Sequence, residues 1–358
     1  MIPLRPLALA TLALLALLAL PAFAQDCASA GGQSFICGAI NPEDLVQVPG
    51  TSAVLSSGMA DGAGFYHVEV QTGALATLGF AAKHDASLFP DCPQAPTPQT
   101  LNTHGLNIRS TGAGRARLHV VGHGAREAIE VFDVDATGAT PQLTWIGCVV
   151  MPAGLAANSV ASLADGSLLA TVLFMPGTTF DQAVAQRQNT GAVFEWTPGT
   201  AGFTLVEGSE LPANNGIETS ADGSEFYVVS SGLHTVVAFA HANPTRQLRS
   251  TRALPFTPDN VHLGPDGLLY TAGMANDVPE CGGAPGANHS LEILAACPRG
   301  SIAVAIDPAT LQDTVVVQTQ ATAAFSNATM ALPVGDELWL GTFAGNRIAR
   351  APRMAAGE

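Results

Sequence analysis

Short runs of alternating apolar and polar residues, broken by Gly, Pro, Asp and Asn, recur along almost the whole chain after its first 24 residues. Runs such as SAVLSSGM, ARLHVVGH, EFYVVS and ELWLGT are rich in β-branched and aromatic residues and are bounded by turn formers, which is typical of short strands. Almost no helical periodicity is present beyond the N-terminal segment. The pattern therefore predicts an all-β protein.

The strand-forming runs fall into six copies of a strand-turn-strand-strand unit, at a spacing of about 50 to 60 residues. The copies open with EDLVQVPG, HGLNIRS, NSVASLADG, NGIETSADG, DNVHLGPDG and NATMALPVGD. Repeats of this size without helices are typical of a β-propeller with one four-stranded sheet per blade. A solenoid of this period would need helices, and a two-sheet sandwich would not explain six copies in phase. We therefore predict a six-bladed β-propeller that forms one domain over residues 25–358, although length alone would also allow two domains.

In a propeller, the innermost strand of every blade begins at the same end of the central channel, so residues far apart in sequence meet at the axis. The residues that open the predicted inner strands are Glu43 and Asp44, His104, Asn158, Asn215, Asp259 and Asn260, and Asn327. Carboxylate and amide oxygens gathered there without a partner would be destabilising. Calcium accepts six to eight oxygen ligands at flexible geometry. The pattern therefore predicts an axial calcium site, with the ligands Glu43, Asn158, Asn215, Asp259 and Asn260.

Another metal, or no metal at all, is an alternative explanation for these polar positions. Zinc is disfavoured because no thiolate and too few imidazoles join the set, and magnesium would prefer a stricter octahedron with more water. Asn-Gly and Asp-Gly are also ordinary turn formers, so any single copy is explained by a turn. Five copies in matching repeat phase favour the metal site.

His104 takes the corresponding place in the second repeat, and His123 ends the strand that follows. Imidazole is a poor calcium ligand, so we expect His104 to stand over the ion and His123 to return to the same face. Such a pair would serve as a general base and its helper, although strand-end histidines are also common in structural roles. The remaining histidines lack axial phase and are expected to be structural or surface residues: His67, His84, His119, His234, His241, His262 and His289.

Residues 1–24 have the composition of a secretory signal peptide, with Arg5, an apolar run and a small-x-small cleavage site that ends at Ala24. The apolar run is short for a membrane span and a cleavage pattern follows it, so removal is favoured over a retained anchor. We therefore predict an exported protein, secreted or periplasmic, with no stable membrane anchor after cleavage.

The charge balance limits the partners that the protein can have, and the cysteine content agrees with export. Asp and Glu number 29 against 14 Lys and Arg, a balance that disfavours nucleic acid and anionic membranes as partners. The six cysteines form an even set, so disulfides are expected, and Cys281 and Cys297 are the clearest pair because they bracket a Gly/Pro-rich loop. The chain has no Gly-x-Ser-x-Gly motif, so an α/β-hydrolase serine is disfavoured.

These motifs, in this order, resemble the paraoxonase/arylesterase family of six-bladed propellers, within the wider group that includes gluconolactonases and regucalcin. The resemblance rests on PEDLVQVPG, HGLNI, LHVVGHG, NSVASL, NNGIETSADGSEFYVV, PDNVHL and ELWLGT, and spans residues 43–350. It implies that the five oxygen-bearing residues named above hold a catalytic calcium and that His104 and His123 form a histidine dyad. Members of that family hydrolyse lactones, aryl esters and some phosphotriesters.

The chain departs from that family at several positions. The family binds a second, structural calcium partly through an Asp, where this chain has Ser159; Asp44 and the Leu106 carbonyl remain as ligands of such an ion. A further active-site histidine of the family, after the Asp-Asn strand of the fifth blade, has no counterpart. We expect the cysteine-bracketed loop, residues 276–299, to reshape the rim of the pocket.

The resemblance also bears on the remaining cysteines. The family joins its two chain ends by a disulfide, whereas no cysteine lies near the C-terminus of this chain. Cys27 and Cys37 are therefore expected to pair locally or with Cys92.

We therefore expect an exported, calcium-dependent hydrolase of lactones or aryl esters, in which the ion polarises the carbonyl and a histidine activates water. Two other functions stay open. One is a non-catalytic propeller that acts as a binding or scaffold protein around a structural calcium. The other is a different enzyme on the same fold, such as a gluconolactonase or a strictosidine-synthase-like condensing enzyme, because fold does not fix function.

Overall fold

The computed structural model describes residues 27–242, 245–283 and 290–354, and its strands form six mainly antiparallel sheets. The innermost strand of each sheet contacts that of the next, and the sixth contacts the first, so the sheets close into a ring. The predicted six-bladed β-propeller is confirmed. Residues 1–24, the predicted signal peptide, and His289 lie outside the described residues.

Each sheet contains four or five strands. The last blade combines β1 (Ser34–Cys37) with three C-terminal strands. The first blade contains β2 (Leu45–Gln47), β3 (Ala53–Ser57), β4 (Phe65–Glu69) and β5 (Leu75–Leu78). The second contains β6 (Phe80–Ala82), β7 (Leu101–Gly112), β8 (Arg115–Gly124), β9 (Ala128–Asp135) and β10 (Gln142–Val150). The third contains β11 (Val160–Ser162), β12 (Leu168–Val172), β13 (Ala192–Trp196) and β14 (Thr204–Leu205).

The remaining blades follow the same order. The fourth contains β15 (Asn214–Thr219), β16 (Glu225–Ser230), β17 (Thr235–Ala240) and β18 (Arg246–Ser250). The fifth contains β19 (Phe256–Leu263), β20 (Leu269–Ala275), β21 (Ser301–Ile306) and β22 (Asp313–Thr319). The sixth is completed by β23 (Ala328–Val334), β24 (Glu337–Thr342) and β25 (Arg347–Pro352). Two short helices, α1 (Phe180–Val184) and α2 (Leu291–Ala296), lie in connections.

The ring is closed by pairing between the two ends of the described chain. Strand β1 runs antiparallel to β25, with Ser34 opposite Arg350 and Cys37 opposite Arg347. The N-terminal residues therefore supply the outermost strand of the sixth blade. Because this strand pairs with the chain's last strand, backbone hydrogen bonds hold the first and sixth blades together.

Three disulfides join all six cysteines. Cys281 pairs with Cys297, as predicted. Cys27 pairs with Cys37, which is the local one of the two expected alternatives, and Cys92 pairs with Cys148 of β10.

The apolar core is distributed between neighbouring blades. Separate buried clusters lie at the contacts of successive sheets, and each combines inward-facing residues of two or three blades. Phe65 of the first blade and Phe132 of the second, for example, meet edge to face with 5.2 Å between their ring centroids. No helix within the described residues has the length and apolar character needed to cross a membrane.

Candidate metal centre and active site

Irregularities in the inner strands turn polar residues towards the channel. In β7, β15, β19 and β23 the pairing skips two residues near the start of the strand. The skipped pairs include His104 in β7, Asn215 in β15, and Asp259 with Asn260 in β19. A bulge of this kind re-aims side chains that a regular ladder would point into the sheet. His104, Asn215, Asp259 and Asn260 therefore sit at positions that are free of ladder pairing.

The predicted ligands meet at one end of the channel. A cavity of about 380 Å³ opens there, and its floor is lined by Glu43, Asn158, Asn215 and Asp259. Asn260 lies directly beneath, fully buried, with its Nδ2 2.5 Å from Oε1 of Glu43. All five side chains thus come from four different blades to one place, while their role as calcium ligands stays a prediction.

Several oxygens of this group lack a hydrogen-bond partner among the described residues: Oε2 of Glu43 and Oδ1 of Asn158, Asn215 and Asn260. Two of the amide nitrogens have acceptors, since Nδ2 of Asn215 donates to Ser231 Oγ at 3.1 Å and Nδ2 of Asn260 donates to Oε1 of Glu43. An unpaired buried acceptor costs about 1–3 kcal/mol.

A calcium ion fits this donor set, because every orphaned atom is a hard oxygen and the ion accepts six to eight of them. Within the described residues, no group of three or more His, Cys, Asp or Glu side chains is arranged to hold a metal. The fit therefore depends on the three amide oxygens, which supply ligands without adding further negative charge.

The electrostatics of the floor also favour a cation. Burial, together with Asp259 and Asp44, raises the pKa of Glu43 well above its usual range. Burial raises the pKa of Asp259 to about 7, against the lowering effect of a hydrogen bond from Asn215. Proximity of carboxylates in a desolvated site disfavours their ionised forms, and a bound cation reverses that preference.

Glycines explain why the inner-strand motifs read HGL and NGI. A Cβ on Gly105 would lie 2.7 Å from the carbonyl oxygen of Asn158, and one on Gly216 would lie 2.6 Å from that of Asp259. Each glycine follows a channel residue of one blade and contacts the ligand backbone of the next. The absence of a side chain thus lets neighbouring inner strands come close enough to share one site.

Hydroxyl groups fix the ligand backbones from neighbouring blades. Thr329 Oγ1 donates to the carbonyl of Glu43 at 2.6 Å, and Thr171 Oγ1 donates to that of Asn215 at 2.5 Å. Ser231 Oγ donates to the carbonyl of Pro258 at 2.8 Å, next to Asp259. Each of these three ligands is therefore positioned by a residue of the adjacent blade.

The two predicted histidines form a hydrogen-bonded pair above the floor. Nδ1 of His104 lies 3.1 Å from Nε2 of His123, and Nε2 of His104 lies 3.8 Å from Oε2 of Glu43. Burial and the neighbouring His123 lower the pKa of His104 to about 3, so this imidazole is neutral at neutral pH. A neutral imidazole beside the site can accept a proton.

Sequence reasoning missed Glu127, which lies 2.7 Å from Nδ1 of His123 through its Oε2. Glu127 belongs to the connection between β8 and β9, where the repeat phase gives no indication of direction. The structure thus extends the predicted pair to a carboxylate–histidine–histidine line.

The expectation that His262 lacks axial phase is wrong, whereas its contacts fit the structural role that was one of the two expected for it. His262 follows Asn260 by two positions on β19 and lies in the channel, where its Nε2 is 2.9 and 3.1 Å from the two carboxylate oxygens of Asp44. Its Nδ1 lies 3.5 Å from Oε2 of Glu218. Burial alone would lower the pKa of His262, but Asp44 and Glu218 raise it to about 10. The period-two alternation of a strand already placed His262 on the face of Asn260.

Asp44, a predicted ligand of a second calcium ion, already has protein groups as partners for its carboxylate. Its Oδ1 also accepts from the amide of Leu45 at 2.8 Å, and its Oδ2 from the amide of Leu106 at 2.7 Å. A second calcium at Asp44 and Leu106 stays a prediction. Ser159 is buried, and its hydroxyl has no hydrogen-bond partner among the described residues.

Asn327 does not point to the axis, contrary to the prediction. It adopts a left-handed conformation (φ 56°), its Oδ1 accepts from the amide of Arg299 at 2.8 Å, and its Nδ2 donates to the carbonyl of Leu294. Its side chain is thus used to hold the cysteine-bracketed loop against the sixth blade.

The walls of the cavity are apolar. They consist of Met59, Leu173, Phe174, Phe180, Val184, Ala213, Met274, Leu294 and Phe343. Helix α1, which begins with a capping box at Thr179, supplies two of them, and Leu294 comes from the cysteine-bracketed loop, as expected for a loop that shapes the rim. Buried Arg299 fastens that loop by donating to the carbonyls of Ala275, Asn276, Cys281 and Gly283.

The chain matches no model of a known protein family, and no curated protein sequence matches it. It is similar in structure to a gluconolactonase from Xanthomonas campestris, with a TM-score of 0.54, 14% identity, and coverage of 90% of this chain and 89% of the other. A calcium-binding protein, regucalcin from Agrobacterium tumefaciens, gives 0.51 and 10%, with coverage of 90% and 94%.

A further similar structure is the PQQ-bound aldose sugar dehydrogenase from Streptomyces coelicolor, with a TM-score of 0.50, 14% identity, and coverage of 89% of this chain and 96% of the other. The three proteins have different functions on one architecture. At these identities the likeness shows the fold alone, a six-bladed propeller.

The raised pKa values predict a pH-dependent stability of the metal-free protein. The folded state keeps on Asp259 a proton that the unfolded state releases above its ordinary pKa of 3.8, so the free energy of unfolding falls as pH rises from about 4 to about 7. In chelator, the melting temperature should therefore fall across this window, and saturating calcium should abolish the fall. Calorimetry with and without calcium measures this, with Asp259→Asn as control. A melting temperature that rises with pH in chelator contradicts the prediction.

Replacing Gly216 should disturb the metal centre. In Gly216→Ala the added Cβ would lie 2.6 Å from the carbonyl of Asp259, so the two strands must separate. We expect a loss of about 1–3 kcal/mol in stability and about tenfold weaker calcium binding, measured by denaturation and isothermal titration calorimetry. The matched control is Gly202→Ala, whose Cβ meets no atom within 4 Å. Equal calcium affinity in both variants would show that close strand approach does not matter for the site.

Proposed function

We propose that this protein is a calcium-dependent hydrolase that opens lactones or cleaves aryl esters at the mouth of the propeller channel. The observation that carries the proposal is the set of oxygens of Glu43, Asn158, Asn215 and Asn260 that are unpartnered among the described residues. They lie beside a hydrogen-bonded histidine pair whose inner member, His104, is neutral. Metal-binding oxygens and a proton acceptor at the floor of one cavity are the parts that water attack on a carbonyl requires. The resemblance of the motifs to the paraoxonase/arylesterase family agrees with this chemistry.

The five oxygen-bearing residues of the floor would hold the ion. When bound, calcium would supply a Lewis acid that polarises a carbonyl and stabilises the negative charge that develops on its oxygen. The amide groups of Asn215 and Asn260 are oriented through their nitrogens, which are tied to Ser231 and Glu43. The neighbour regucalcin is described as a calcium-binding protein, which supports the choice of ion.

His104 would act as the general base. It lines the cavity, is almost fully buried, and is neutral at neutral pH because burial and His123 lower its pKa to about 3. A low intrinsic basicity suits the step only if the imidazolium is stabilised as it forms, and the carboxylate of Glu43, whose Oε2 lies 3.8 Å from Nε2 of His104, is close enough to do so.

The walls indicate an apolar substituent on the substrate. Apart from the residues of the floor and His104, the polar side chains that line the described cavity are Ser231 and Thr257, and both hydroxyls are already used. Ser231 Oγ contacts Asn215 and Pro258, and Thr257 Oγ1 donates to Asn276 Oδ1 at 2.7 Å. A sugar lactone would find no partners for its hydroxyl groups, whereas an alkyl or aryl group would bury against phenylalanine and methionine side chains.

We further propose that the protein is exported and acts on small molecules, without nucleic acid or a membrane anchor as partner. The signal-peptide pattern of residues 1–24 and the three disulfides support export, because disulfides persist in oxidising compartments.

A substrate panel tests the proposed function. The calcium-loaded protein should hydrolyse an alkyl-substituted γ-lactone and phenyl acetate, lose this activity in chelator and regain it with calcium. Glucono-lactone should be hydrolysed with a kcat/KM at least about tenfold lower, because one or two unmet hydroxyl groups cost that much. Turnover by pH-stat titration provides the measurement. Calcium binding without any hydrolysis would identify a non-catalytic binding protein, and preference for glucono-lactone would identify a sugar lactonase.

Substituting the proposed base should separate chemistry from metal binding. His104→Gln should lower kcat about 10²–10⁴-fold, the usual contribution of general-base assistance, while calcium affinity stays within about twofold. His84→Gln is the matched control, since His84 bonds the carbonyl of Phe89 at 3.0 Å and does not line the cavity. Undiminished kcat in His104→Gln removes this histidine from the mechanism.

A further inference from the structure

Three polar groups form a line that runs from the protein surface to the floor of the cavity. Oε2 of Glu127 lies 2.7 Å from Nδ1 of His123, and Nε2 of His123 lies 3.1 Å from Nδ1 of His104. We infer that Glu127 is a positioning residue that sets which nitrogen of each histidine carries the proton. The inference rests on the proposed function for its kinetic consequence, but the proton arrangement can be measured without activity.

The arrangement follows from the donors and acceptors along the line. A carboxylate can only accept, so Nδ1 of His123 must carry the hydrogen that it donates to Glu127. In a neutral ring, Nε2 of His123 then has a lone pair and accepts from Nδ1–H of His104. Nε2 of His104 is consequently left without a hydrogen.

This assignment places the base where the chemistry needs it. Nε2 of His104 is the atom that lies on the side of Glu43, at 3.8 Å from its Oε2, above the floor of the cavity. With the opposite tautomers, His104 would present an N–H there and could not take a proton from an attacking water. Glu127 thus directs the lone pair of His104 towards the reacting group without touching it.

Neither the neighbouring arginine nor the backbone of the connection depends on the Glu127 side chain. The adjacent Arg126 is bound to other groups. Its Nε and Nη2 donate to the carboxylate oxygens of buried Glu130 at 2.8 and 2.9 Å, and its Nη1 donates to the carbonyl of Gln94. The backbone of Glu127 is held by the amide of Met151, which donates to its carbonyl at 2.9 Å. Replacing the Glu127 side chain therefore leaves the path of the connection between β8 and β9 intact.

The test compares Glu127→Gln with Glu195→Gln. Glu195 makes a similar contact, with its Oε1 3.0 Å from Nε2 of His241, and its side chain is 29% exposed against 38% for Glu127. The amide introduced by Glu127→Gln can donate to Nδ1 of His123 and thereby reverse both tautomers, as replacement of a triad carboxylate by an amide does in serine proteases. Glu127→Gln should lower kcat about ten- to hundredfold with KM and calcium affinity within about twofold, whereas Glu195→Gln should leave all three unchanged.

A spectroscopic measurement tests the proton positions directly. Long-range ¹H–¹⁵N spectra of the histidine rings should show the Nδ1–H form of His123 in the wild type and the Nε2–H form in Glu127→Gln, with signals assigned by their loss in His123→Asn. Glu195→Gln should leave the signals of His123 as in the wild type.

The outcomes separate this inference from the proposed function. A His123 ring that has the same tautomer with and without the Glu127 carboxylate overturns the inference, as does an unchanged kcat in Glu127→Gln. If the wild type hydrolyses nothing, the proposed function fails, and the ring spectra alone then decide whether Glu127 sets the tautomers.

Discussion

Acceptor oxygens gathered at one buried point of the axis are the constraint on which the structure depends. Glu43 and Asp259 contribute carboxylates there, and three asparagines contribute amide oxygens that find no donor among the described residues. Such a group is tolerated only if something neutralises it, either protons at low pH or a cation. The described blades bring these oxygens together but place no cationic side chain among them. A cation bound there would therefore stabilise the folded state.

The channel shows the two ways in which buried carboxylates can be satisfied. Deeper in the channel, Asp44 and Glu218 flank His262, whose two ring nitrogens face their oxygens, and backbone amides complete the shell of Asp44. The chain thus supplies its own cation at that level. At the mouth it supplies none, since no Lys or Arg lines the described cavity. The proposed external cation would therefore bind at the level that is open to the cavity.

The position of a residue within its repeat was enough to predict most of the residues that meet at the site. Asn158, Asn215 and Asp259 were predictable because rotational repetition sends equivalent positions to one point, whatever their distance along the chain. Asn327 shares the phase but is diverted by a left-handed backbone and by Arg299, a tertiary contact that no local pattern encodes. Glu127 lies in a connection without phase and became apparent only in the folded chain. The bulges that aim the ligands, and the use of β1 as the last blade's outer strand, likewise depend on strand pairings that local sequence does not specify.

The similar structures show why the donor set, and not the propeller, has to carry the functional argument. A PQQ-bound dehydrogenase and a gluconolactonase share this architecture at about the same TM-score. The propeller fold therefore does not determine which reaction is catalysed at the channel mouth. The functional argument depends on a combination of features among the described residues: hard oxygens without donors, a neutral histidine next to them, and walls of Phe, Leu and Met without a free hydroxyl. Each feature alone has an ordinary structural explanation. Their convergence on one cavity supports the proposed hydrolysis of an apolar ester or lactone, because that reaction would use all three at once.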